Sequence, residues 1–91
     1  MTREELRAQA FRSGVPNHTV DTLVDYVFDR CPVGSFTEAV LSNDLKGSFM
    51  RADDINRDAL FNIVSFLYSY ATMDCWGSSE KYKAWINKEG A

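Results

Sequence analysis

The stretch Gly34–Met50, GSFTEAVLSNDLKGSFM, constrains the fold most, because it reads as one helix with apolar residues on two opposite sides. Ser35 and Glu38 form a capping box, in which the serine hydroxyl accepts from the backbone N–H of Glu38 and the carboxylate reaches back to that of Ser35. At about 100° per residue, Phe36, Val40, Asn43, Gly47 and Met50 share one side, while Leu41, Leu45 and Phe49 form a second stripe nearly opposite. A helix apolar on two sides is expected to be covered on two sides. That places it at the centre of an all-α fold.

The flanking segments supply the covering helices. Thr2 and Glu5 form another capping box, opening a helix that runs to Ser13 before Gly14 and Pro16 stop it. Its apolar content, Leu6, Ala10 and Phe11, is thin, so it is expected to lie on the surface and fray, or to dock on a second subunit. Asn17 or Thr19 caps a stronger helix, in which Val20, Leu23, Val24, Val27, Phe28 and Cys31 recur at helical spacing until Pro32. Asp21, Asp25 and Asp29 form an acidic stripe on another face, read as solvated surface or as a docking face for a basic partner.

Asp53 or Asp54 caps a helix running from about Asp54 to Ala71. Leu60, Ile63, Val64, Leu67 and Ala71 line one side of it. Phe61, Phe66, Tyr68 and Tyr70 widen the apolar arc until only Asn62, Ser65 and Ser69 stay polar. This helix too is expected to be largely buried. Two such wide arcs offer more apolar surface than the first helix and a short last one can cover, which favours self-association, with a two-fold dimer the expected form. Thr72–Ser78 is a loop, and Ser78 or Ser79 caps a last helix with the stripe Tyr82, Trp85 and Ile86, ended by Gly90. The expected architecture is a single domain, residues 1–91, of about five short helices.

Composition narrows the function classes. With 45% hydrophobic residues in 91, the chain has enough apolar material for one core. No apolar run approaches the roughly 18 to 20 residues that cross a bilayer, and the charged, periodic N-terminus is unlike a signal peptide, so a cytoplasmic location is expected. Cys31 and Cys75 are then read as reduced, mostly buried thiols. Two cysteines and the single His18 do not make the paired ligand set of a structural zinc site. Residues 1–45 carry four bases and seven acids and residues 46–91 six of each, which implies no basic surface for duplex nucleic acid.

No catalytic set emerges, and the expected protein is non-enzymatic, without metal or cofactor. His18 sits at a helix start with no assignable serine or cysteine partner, and Asp53 and Asp54 are explained by capping and the helix dipole. Asn43 is the unusual residue: an amide on an apolar helix face must find partners or cost about 1 to 3 kcal/mol. It either bonds a neighbouring backbone or Asn56, or floors a small pocket in the space left by Gly47. Lys46, Arg51 and Arg57 cluster at a helix junction, where they hold an anion or are neutralised by Asp44, Asp53, Asp54 and Asp58. Trp76 either stacks on a ligand or plugs the core.

The strings GSFTEAVLSNDL, RADDINRDALFNIVSFLY and CWGSSEKYKAWI resemble a group of very small proteins of tailed bacteriophages and prophages. The resemblance spans residues 34–86, with GSF, NDL, AD-x-x-N, FLY and CWGS in that order, and residues 1–33 lie outside it. It implies a setting, the bacterial cytoplasm during infection or lysogeny, and no mechanism. Two functions are expected from different classes. One is an accessory protein that binds and modulates a host or anti-phage-defence component; the other is a binder of a small anionic ligand, such as a nucleotide signal, through Asn43, Lys46, Arg51, Arg57 and Trp76.

Overall fold

In a computed structural model, which describes residues 1–88, the chain forms α1 (Arg3–Arg12), α2 (Asn17–Asp29), α3 (Ser35–Leu41), α4 (Leu45–Arg51), α5 (Asp54–Asp58), α6 (Leu60–Tyr70), a 3₁₀ turn (Met73–Cys75) and α7 (Ser79–Asn87). The fold is all-α, with no strand among the described residues. Its radius of gyration, 12.0 Å, is that of one compact domain of this length. More helices form than the five expected, because two of the predicted helices are each broken in two. Among the described residues no helix is long and apolar enough to cross a membrane. Gly90, the expected end of the last helix, lies outside the described residues.

The first helix is better anchored than its thin apolar content suggests. Its capping box forms, Glu5 N–H donating to Thr2 Oγ1 at 3.1 Å and Thr2 N–H to Glu5 Oε1 at 3.0 Å, and these bonds lower the Glu5 carboxyl below its ordinary pKa. At the other end Gly14, at φ +85°, closes a Schellman motif through Gly14 N–H to Phe11 O and Val15 N–H to Ala10 O. Leu6 and Ala10 are buried in the common core, α1 packing on α2 and α6. The apolar side of α1 is therefore covered within the chain itself. Arg3 pairs with Asp25 at 2.8 Å and with Asp29, and Arg7 pairs with Asp21 at 3.0 Å. The acidic stripe does face a basic partner, the chain's own first helix. These pairs are about half exposed, so each is worth no more than about 1 kcal/mol.

Val20, Leu23 and Val24 of α2 are buried as the periodicity predicts. Cys31 is exposed instead, because Arg30 adopts the left-handed conformation (φ 57°) and turns the chain off the helix before Pro32, and Phe28 is exposed because the buried face of α2 turns towards Thr19, Leu23 and Tyr26. Only Cys75 of the two free thiols is buried, and burial raises its pKa. Neither Asn17 nor Thr19 caps α2, whose N-cap is Pro16. The buried Thr19 hydroxyl donates to Asn56 Oδ1 at 2.7 Å, and the Asn56 amide nitrogen stands 3.2 Å from His18 Nε2. Asp53 caps α5 through Asn56 N–H at 2.7 Å.

The residue that ties the C-terminal third to α2 is Tyr26, fully buried. Its hydroxyl donates to the Cys75 carbonyl at 2.6 Å, its ring stacks on Tyr82 at 5.6 Å, and its own carbonyl accepts from Trp85 Nε1 at 2.8 Å. Arg30 covers the outer face of Trp85 at 4.4 Å. The stripe Tyr82, Trp85 and Ile86 on α7 therefore docks as its spacing predicts, and Ser78 caps that helix through Lys81 N–H.

The expected central helix is the main correction. It starts at Ser35, but with Gly34 as N-cap and no side-chain cap, so the Ser35–Glu38 box does not form. It then stops at Leu41. Asn43 sits in the left-handed region (φ 62°), with Asn43 N–H bonded to Val40 O at 3.1 Å and Asp44 N–H to Ala39 O at 2.9 Å, a second Schellman motif. Asp44 caps α4 by accepting from Gly47 N–H at 2.9 Å. The first stripe keeps Val40 in the core, and of the second only Leu41 is buried, while Leu45, Phe49 and Met50 ride outward on α4. Likewise Ala59 separates α5 from α6, and α6 buries Ile63, Phe66 and Leu67 but leaves Phe61, Val64 and Tyr68 exposed.

Two outcomes are expected. Leu41→Asp and Val40→Asp each put an unpaired charge in the core and should lower stability by about 3 kcal/mol or more, whereas Leu45→Asp, on the exposed part of the same expected stripe, should leave the melting temperature nearly unchanged. Burial also raises the Tyr26 phenol above its ordinary pKa. The folded state therefore holds this proton where the unfolded chain releases it, so its contribution is intact below about pH 10 and is lost as pH rises above that. Thermal melts of wild type should fall steeply above pH 10, and those of Tyr26→Phe less so, although that variant loses about 1 kcal/mol at neutral pH.

Candidate functional site

The five candidate residues do not meet at one place. Asn43 and Trp76 do: both line an open groove of about 530 Å³, whose other walls include Tyr68, Met73, Gly77 and Lys81, and both border a smaller hollow of about 160 Å³ towards Leu45, Leu60 and Val64. Arg51 lines a different, polar hollow of about 380 Å³ with Glu38, Ser42 and Ser79. Lys46 and Arg57 line none of these. Arg51 stands 3.7 Å from Asp44, while Arg57 stands 3.9 Å from Asp54 and lies 4.8 Å over the Phe49 ring. Arg51 and Arg57 are thus matched by neighbouring acids and an aromatic face, each with its own partner, while Lys46 forms no ion pair among the described residues.

Asn43 is not a buried amide. It is exposed, and its position is explained by its backbone, since asparagine tolerates left-handed φ better than any residue but glycine. Asn56, its expected partner, bonds Thr19 and His18 instead. Among the described residues the Asn43 side chain makes no hydrogen bond, so the amide is available to the groove. Gly47 does not open a space beside it: the Asp44 and Arg51 side chains lie over Gly47, where an added Cβ would meet both.

Trp76 serves two purposes, one face of its half-buried ring packing on the core and the rest lining both hollows. Gly77 holds it there. At φ +123°, a conformation that side-chain-bearing residues rarely adopt, Gly77 donates its N–H to the Leu41 carbonyl at 2.8 Å, tying the loop to the end of α3. Two local breaks, at Asn43 and at Gly77, therefore place an amide beside an indole.

Sequence reasoning missed Tyr68, Met73 and Lys81 as neighbours of this pair. Tyr68 is 81% exposed where an apolar arc suggested burial, and Met73, in the loop that follows, is 79% exposed. Lys81 carried a readable signal, a cation in the first turn of a helix, where the dipole disfavours it. The groove holds no catalytic triad or acid–base pair, and no group of three or more metal-ligating side chains occurs among the described residues. What the arrangement offers is apolar and aromatic contact with one amide and one ammonium. No protein-family model, curated protein or solved structure matches the chain.

Asn43→Ala should cost about 1 kcal/mol, because alanine is strained in the left-handed region, and Asn43→Gly should cost nothing or stabilise slightly. Chemical denaturation of both variants checks this. Equal losses would instead assign the effect to the amide.

Proposed function

We propose that this protein acts by binding and not by catalysis, as a phage or prophage accessory protein that docks on a host or anti-phage-defence protein in the bacterial cytoplasm. The observation that carries the reading is the uncovered apolar face: Leu45, Phe61, Tyr68 and Met73 are 73%, 82%, 81% and 79% exposed, with Val64 among them. Leu45 and Val64 border the smaller hollow, Tyr68 and Met73 the larger groove, and Trp76 both, so most of this surface is continuous. Taking about 200 Å² for a large apolar residue, the five expose roughly 700 Å², close to the ~800 Å² per partner of a standard interface. Solvated monomers seldom keep a patch of that kind without a use. The phage setting is supported by the sequence resemblance alone.

A second copy of the chain is the other occupant this face suits. Its main helix, α6, carries no acidic or basic residue from Leu60 to Tyr70, so pairing it with itself across a two-fold axis sets no like charges together. Light scattering at micromolar concentration distinguishes the occupants: a mass of 10.3 kDa leaves the face open to a host protein, and twice that assigns it to the dimer. Phe61→Asp and Tyr68→Asp, both exposed, should melt like wild type yet fail to retain the host protein that wild type captures from a bacterial lysate. Unchanged capture by both variants would remove this face from the reading.

A further inference from the structure

The groove beside the docking face has a composition that apolar docking does not account for. Among its lining residues Lys81 is the one charged group, and it forms no ion pair among the described residues. Its side chain lies along Gly77, its Nζ 3.7 Å from where a Cβ would stand. Nothing in the fold rewards that placement, since a first-turn cation opposes the α7 dipole. The Asn43 amide, which also lines the groove, is likewise unengaged among the described residues, because its residue's structural task is done by the backbone. The same groove is lined by the aromatic Trp76 and Tyr68 and the pliable Met73.

We infer that this groove binds a small planar aromatic molecule carrying one anionic group, the ring against Trp76, Tyr68 and Met73, and the anion at Lys81 with the Asn43 amide. Its volume, about 530 Å³, is in the range of small-molecule sites. One unpaired ammonium suits one negative charge. A cation finds no carboxylate among the lining residues, and a neutral ring leaves Lys81 unanswered. The site shares Tyr68, Met73 and Trp76 with the docking face, and the two are told apart by Lys81, which is outside that face, and Phe61, which does not line the groove.

Isothermal titration of the full chain with naphthoate and with neutral naphthamide tests this. Naphthoate should bind in the millimolar range or tighter, and naphthamide about fivefold more weakly. Lys81→Gln, at an exposed position, should reduce naphthoate to the level of the amide. Phe61→Asp should bind naphthoate as wild type does, even where it no longer captures a protein partner. Absence of naphthoate binding at several millimolar, or a Lys81→Gln protein that still prefers the acid, would overturn the inference while leaving the docking reading untouched.

Discussion

The hydroxyl of Tyr26 and the carbonyl of Cys75, 2.6 Å apart in the core, hold together the two halves of this small fold. The bond spans 49 residues and joins the longest helix to a turn with little other regular hydrogen bonding. Around it Tyr82 stacks on the phenol and Trp85 bonds the backbone of the same residue, so α7 docks on a single side chain's surroundings. A buried phenol without an acceptor would be costly, and with one it specifies a unique arrangement. The position of the 3₁₀ turn, and hence of Trp76 and the groove, depends on it.

Short helices are the second organising fact. A helix of five or seven residues is not stable by itself. α3, α4 and α5 persist because caps satisfy their ends and neighbours cover one side: Asp44 and Asp53 cap α4 and α5, and a Schellman turn closes α3. Each break redirects a stripe that would otherwise have been buried. The Asn43 turn sends Leu45, Phe49 and Met50 outward, and the same turn brings Asn43 to Trp76. The surface proposed to work and the devices that terminate helices are consequences of one another.

Charge is distributed so that the chain neutralises itself where it is strongly patterned. Arg3 and Arg7 of α1 answer the acidic stripe of α2, and Asp44 and Asp54 answer Arg51 and Arg57. The outer side of α6, by contrast, carries no charge, and the groove beside it is lined by a single lysine. Specificity on such a surface comes from shape and from a few polar groups, not from a broad field.

Much of the fold was legible in local pattern. The all-α class, the cores of α2 and α7, the Thr2–Glu5 box, and the caps of α5 and α7 to within one residue depend on spacing and hydrogen bonding within a few residues, which the sequence states directly. The Ser42-Asn43-Asp44 triplet, rich in turn and cap formers, was a readable break overridden by an apolar periodicity that ran straight through it. Of the candidate site, the sequence pointed to Asn43 and Trp76 within a wider set that included Lys46, Arg51 and Arg57. Which of that set meet, the exposure of Phe61 and Tyr68, the choice between an anion and acidic neighbours for Arg51 and Arg57, and the arrival of Lys81 at the groove were decided by tertiary structure. Periodicity says which residues can share a face, but whether that face is covered depends on which distant helix reaches it.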